Sequence, residues 1–130
     1  MKKKTKITTI KRYADKIFSE WIRRINADKD GMVRCCTCGK IFHWTKVDAG
    51  HFIPRKRNST RFNQFNVNCQ CKSCNRGSGF IARYAQHIVE YFGIEKLEEL
   101  AVLEGQTHNW TEEELREIIK DYKQKLEKLK

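Results

Sequence analysis

Two cysteine pairs, Cys35-x-x-Cys38 and Cys71-x-x-Cys74, bracket a segment that holds His51 in this 130-residue chain. Thiolates are soft ligands, and a C-x-x-C turn aims two of them at one point. Two such pairs suit a closed tetrahedral Zn²⁺ site, and a site with no open position is structural, not catalytic. The pairs stand farther apart than the roughly 15–20 residues of a simple zinc ribbon. The excess segment holds the other residues able to do chemistry. They are Asp48, His51, a basic run of Arg55, Lys56, Arg57 and Arg61, and Asn66, with Asn75 and Arg76 just past the last cysteine. Cys36-x-Cys38 and Cys69-x-Cys71 are competing pairs. The shared C-x-x-C spacing favours the first set and leaves Cys36 and Cys69 as small buried hydrophobes.

The chemistry these types suit is phosphodiester hydrolysis, which needs a base for water and a cation for the charged phosphorus centre and leaving oxygen. His51 is the best base, because an imidazole titrates near neutrality. A carbonyl or amide on its other ring nitrogen would fix the tautomer, and Asn66 is a candidate for that partner. Asn75 carries an oxygen able to ligate Mg²⁺ or Mn²⁺, and its neighbour Cys74 would be pinned by the zinc. His43, His87 and His108 have no comparable setting.

The net charge of +11 sits mainly on the first two thirds of the chain, around the cysteines, whereas residues 94–130 carry ten acids against seven bases. A positive field around a zinc motif attracts phosphate backbones, so the expected partner is DNA, held through shape and charge and not through sequence. Arg83 and the amino-terminal Lys2, Lys3, Lys4 and Lys6 add to that surface. Phe62 and Phe65 could wedge into a branch point, but core packing suits them better. A non-catalytic zinc-containing nucleic-acid-binding module and a zinc-knuckle protein adaptor are the rival readings.

The elements that must position these residues follow from periodicity. Residues 1–8 read as a basic tail and 9–130 as one domain. A first helix over 9–28, capped by Thr9, carries the stripe Ile10, Tyr13, Ala14, Ile17, Phe18, Trp21, Ile22 and Ile25. Asp28-Lys29-Asp30-Gly31 ends it; the turn lacks the further ligands of a calcium loop. Residues 32–92 form the zinc core. Strands are expected at 40–44 and 47–53, the latter stopped by Pro54. A basic loop over 55–65, a strand leading from Asn66 to the second knuckle and a flexible connector at 75–79 follow, then a helix with Ile81, Tyr84, Ala85, Ile88 and Phe92 on one face. Residues 94–130 form a helical extension, with a short helix at 94–103, a capping box at Thr111–Glu114 and a last amphipathic helix. The first or last helix could supply a homodimer interface. No apolar run approaches the roughly 20 residues that cross a bilayer, and no secretory signal opens the chain. The protein is therefore expected in the cytoplasm, where three disulfides are not.

Asp48-Ala49-Gly50-His51-Phe52-Ile53-Pro54-Arg55, then Arg61-Phe62-Asn63 with Asn66, then Cys71-Lys72-Ser73-Cys74-Asn75 resemble the HNH endonucleases and, more narrowly, the NinG (Rap) recombination nucleases of lambda-like phages. The resemblance extends over residues 15–38 and 80–130. It implies an α+β fold with a treble-clef, ββα-metal core flanked by amphipathic helices. It also implies zinc as scaffold, His51 as general base, and Asn66 orienting His51 or shaping the loop. Asn75 would bind the catalytic cation, and the substrate would be branched DNA such as a four-way junction in the cytoplasm of a bacterial host. Many HNH enzymes place a metal-binding acid directly before the base. Here that residue is Gly50, and Asp48, two residues back on the same strand face, is the substitute ligand.

Overall fold

The computed structural model describes residues 2–77 and 80–129. Ser78 and Gly79, part of the expected connector, lie outside the described residues, as do the side chains of Lys2, Lys3 and Lys4. The fold is mixed α+β, with five α-helices and two small antiparallel sheets among the described residues. Helix α1 (Lys2–Ile25) leads into β1 (Met32–Arg34) and β2 (Ile41–His43). Strands β3 (Val47–His51) and β4 (Val67–Cys71) and helix α2 (Lys72–Arg76) follow. Three longer helices close the chain: α3 (Ile81–Phe92), α4 (Ile94–Glu104) and α5 (Glu112–Glu127).

Helix α1 begins at Lys2, so residues 2–8 of the expected basic tail are helical and Thr9 lies inside the helix instead of capping it. The reason is tertiary. Lys6 pairs with Glu112 of α5 at 3.3 Å, and the apolar stripes of α1 and α5 pack on each other. Phe18 and Ile22 are buried against Tyr122, with Trp21 and Ile118 at the edge. Each such side chain removed from water contributes roughly 1.5–3 kcal/mol to the packing of α1 on α5. The two stripes read as a dimer interface thus cover one another within a single chain. Beyond α1, the Asp28 carboxylate accepts from the backbone N–H groups of Asp30 and Met32 at 2.9 Å each, a local turn lock and not a calcium ligand.

The β1–β2 pair runs Met32↔His43 to Arg34↔Ile41, and the β3–β4 pair runs Val47↔Cys71 to His51↔Val67. The second hairpin is sandwiched. All five residues of β4 are buried. Helix α1 covers one face through Phe18, Val67 and Ala49, and Tyr84 of α3 covers the other. The Tyr84 hydroxyl donates to the Gly50 carbonyl at 2.5 Å and accepts from Asn68 Nδ2 at 3.2 Å. Helix α5 opens with the expected capping box between Thr111 and Glu114. Phe62 packs edge-on against Phe18 and Trp110, and Phe65 against Phe92, so both are core residues.

Candidate metal centre and cleft

The four sulfurs of Cys35, Cys38, Cys71 and Cys74 all lie within 4.8 Å of one another. Cys35 and Cys38 come from the turn joining β1 to β2. Cys71 ends β4, and Cys74 lies in α2. Gly39 closes the first turn at φ +80°, a left-handed conformation that glycine adopts without strain. The donor set fits Zn²⁺. A tetrahedral ion with bonds of about 2.3 Å sets its sulfurs about 3.8 Å apart, and Cys38 Sγ stands 3.9 Å from Cys71 Sγ. Backbone N–H groups already point at the thiolates, Cys71 N to Cys35 Sγ at 3.3 Å and Cys74 N to Cys71 Sγ at 3.4 Å. Burial opposes ionisation of Cys35, yet the N–H of Cys71 and the Thr37 hydroxyl bring its thiol down to about 6. Burial pushes Cys74 up to about 12. Cation binding at this cluster would therefore release protons.

Cys36 and Cys69 stand outside the cluster. Burial raises both thiols, Cys69 to about 12, so they are neutral. Cys69 packs with Val33 and Val47 as a small hydrophobe. All six cysteines are free of disulfides.

Beside the cluster, a cleft of about 390 Å³ is lined by Asp48 and His51 of β3, Lys72 and Asn75 of α2, Arg55 of the following loop, and Asp15, Ser19 and Arg23 of α1. The imidazole of His51 and the carboxamide of Asn75, 24 positions apart in sequence, thus face one space. His51 Nε2 lies 3.0 Å from the Arg61 carbonyl. A carbonyl only accepts, so Nε2 carries the hydrogen and Nδ1 keeps the lone pair. Burial holds the His51 pKa below the usual imidazole value, against the opposing pull of that carbonyl. At neutral pH the ring is a free base.

The Asn66 side chain bonds to Ile53 and Thr60 and not to the His51 ring. It is fully buried and staples the loop. Its Oδ1 accepts from Ile53 N at 2.8 Å, and its Nδ2 donates to the carbonyls of Ile53 and Thr60 at 3.0 and 3.2 Å. It thereby sets the position of Arg61, one residue past Thr60. Of the two roles expected for Asn66, the geometry matches the loop-shaping one.

Asp48 accepts from Lys72 Nζ at 2.8 Å and from Asn75 Nδ2 at 3.0 Å. Partial burial opposes its ionisation, but the Lys72 and Asn75 bonds keep its carboxyl below the ordinary carboxylate value. With its amide nitrogen on Asp48, Asn75 keeps its side-chain oxygen available. A carboxylate and an amide oxygen are hard donors of the kind that Mg²⁺ and Mn²⁺ accept. Gly50 cannot carry the acid expected before the base. A Cβ there would meet Gln70 Oε1 at 2.2 Å, and Gln70 is buried and donates to Thr37 at 3.2 Å.

Arg61 corrects the sequence reading. It was grouped with the phosphate-contacting cations, but its guanidinium forms a two-pronged pair with Asp15 at 2.9 and 2.5 Å, and both side chains are 13% exposed. Arg55, Lys56, Arg57 and Arg76 remain exposed. Reasoning from sequence also missed Asp15, Ser19, Arg23 and Lys72 as residues of the cleft. The four-residue spacing of Asp15, Ser19 and Arg23 along α1 was the available sign of a polar stripe beside the apolar one.

A closed thiolate cluster that staples a hairpin and helix beside a histidine-bearing cleft defines a cysteine-clustered α+β domain able to hold a structural metal. Family comparison narrows this class. The family model for the bacteriophage lambda NinG protein matches residues 1–130, and the chain belongs to that family. It is 32% identical to protein ninG of Salmonella phage P22 and to protein ninG of Escherichia phage lambda, over 93% of this chain and 63% of each relative. Protein ninG of Escherichia phage 933W is likewise 32% identical, with 64% of its length covered. The chain thus spans less than two thirds of these relatives. No solved structure matches. Among the described residues, no helix is long and apolar enough to cross a membrane.

Proposed function

We propose that this chain is an HNH-type endonuclease that hydrolyses phosphodiesters in branched recombination intermediates of four-way-junction or D-loop type, inside the bacterial host cell. The observation that carries this reading is the shared cleft, in which a carbonyl-tethered neutral imidazole faces an Asp48–Asn75 oxygen pair. The succession β3, β4, α2 is the ββα core of that reading, with zinc on the four cysteines as scaffold.

In the proposed reaction, His51 Nδ1 takes a proton from a water, whose oxygen attacks the phosphorus. The P–O bond to the leaving sugar oxygen breaks, and that oxygen gains a proton from solvent. The Arg61 carbonyl keeps the ring oriented throughout and stabilises the imidazolium. Asn75 and Asp48 are the residues that would hold Mg²⁺ or Mn²⁺, which when bound supplies neutralisation of the phosphorus centre and leaving oxygen. Arg55, Lys56, Arg57 and Arg76 are the proposed phosphate contacts, with recognition through shape and charge and not through base edges. A two-fold dimer acting on both arms of a junction would need a surface other than the mutually covered stripes of α1 and α5.

The test is metal analysis of the purified protein combined with cleavage of junction, flap and linear duplex in Mg²⁺ and in Mn²⁺. The expected result is one tightly held zinc and preferential cutting of branched DNA. Tight zinc and DNA binding with no cutting in either cation would instead support the non-catalytic binding module.

A further inference from the structure

We propose that Asp15 of α1 is the positioning residue for the His51 base, acting through Arg61. The inference rests on the hydrolytic reading for its kinetic consequence, but its structural part stands alone. The connection is continuous. Asp15 grips the Arg61 guanidinium with both oxygens. Arg61 Nη1 donates to the Arg55 carbonyl at 3.2 Å, closing the loop on itself. The carbonyl of the same arginine then takes the His51 Nε2 hydrogen at 3.0 Å. Three supports hold that carbonyl. Asn66 fixes the loop from inside through Thr60 and Ile53, Leu103 and Trp110 hold the turn before it through Ser59 and Asn58, and Asp15 is the tie that grips Arg61 itself, from α1. Arg55 lies 4.0 Å from the same carboxylate, so Asp15 also offsets the charges of Arg55 and Arg61.

A side chain that acts this way has a signature distinct from general stability. Losing the Asp15 charge frees the Arg61 side chain, lets the loop drift and releases the ring to both neutral tautomers. It also makes the cleft more positive, which favours a polyanion. Catalysis and binding should therefore move in opposite directions.

The experiment compares the full chain with Asp15→Asn and Asp15→Glu, reading the His51 tautomer by ¹⁵N NMR and the kcat and KM for junction cleavage. The expected result for Asp15→Asn is loss of the single Nε2–H form and a kcat lower by about 10-fold to 100-fold, the scale for an ångström-size misplacement. Its KM should be unchanged or lower. Asp15→Glu, which keeps the charge, should recover the tautomer and most of the rate. An unaltered tautomer in Asp15→Asn, with kcat within about twofold of wild type, would overturn the proposal. If Asp15→Asn does not fold, the same two readings on Asp15→Glu and Arg61→Lys decide it. A mixed tautomer in Arg61→Lys beside a single form in Asp15→Glu supports the connection, and a single form in both refutes it. If wild-type protein cuts no DNA, the hydrolytic reading fails, and the tautomer measurement still decides the role of Asp15.

Discussion

The two hairpins have nearly the same secondary structure and opposite surroundings. In β1–β2, each strand has three residues, Ile41 is half exposed, and the turn contributes two cysteines of the cluster and the Thr37 hydroxyl beside them. In β3–β4, each strand has five residues, β4 is wholly buried, and helices cover both faces. The chemistry-bearing residues sit on or beside the second hairpin. A base and a cation ligand must hold their directions, so they belong where packing and hydrogen bonds over-determine the backbone. The first hairpin joins the second through the sulfur cluster and through the apolar contact of Val33 with Val47 and Cys69.

The clearest way to break this contrast is to cut the link. Exchanging Cys71→Ser, or stripping the metal with a strong chelator, should abolish cooperative unfolding of the core. Structural zinc sites contribute on the order of 10 kcal/mol, more than a small domain's net stability. Thermal unfolding with metal analysis reads this directly. Cys36→Ser, outside the cluster, should retain the metal.

The second test weakens the sandwiched hairpin from within. Asn66→Ala would leave the Ile53 N–H and carbonyl without partners in a dry site, while the Thr60 carbonyl keeps the Asn63 N–H, with an expected cost of about 3 kcal/mol. Denaturant titration measures it, and cleavage should fall as well because the Arg61 carbonyl moves. Acidification gives a third. The His51 pKa is lowered by burial, so the base form persists at neutral pH and is lost only as pH falls below the ordinary imidazole value of about 6.5. A pH profile of kcat/KM should therefore be flat near pH 7 and drop on the acid side, at a pH below that value. The smallest effect belongs to the periphery. Lys56→Ala should leave stability unchanged and lower the salt dependence of DNA binding by about one phosphate contact, a change of roughly 0.9 in the log–log slope.

Much of this organisation was legible in the sequence, because local chemistry dictates it. The C-x-x-C spacing announced the cluster, the alternation around Asp48–His51 announced a strand, and Thr111–Glu114 announced a helix start. What escaped was set by tertiary contact. The start of α1 was misjudged because Lys6 is stabilised by Glu112, more than a hundred positions away. Arg61 was misread because charge alone does not reveal that Asp15 already occupies it. The missing acid at position 50 has a reason that only packing supplies, the Gln70 side chain lying where its Cβ would be. The carboxy-terminal extension also gains a purpose from contacts invisible in sequence. Ser59 donates to Leu103 at 2.6 Å and Trp110 to Asn58 at 3.0 Å, so it buttresses the short turn that presents the Arg61 carbonyl.

The central claim is that His51 is the base of a DNA-cutting cleft. Its most direct test is paired binding and single-turnover cleavage of a four-way junction by wild type and His51→Ala in Mn²⁺. The account predicts that wild type cuts, and that the variant binds with similar affinity but cuts slower by a factor on the order of 10³. A variant that cuts as fast as wild type would contradict it.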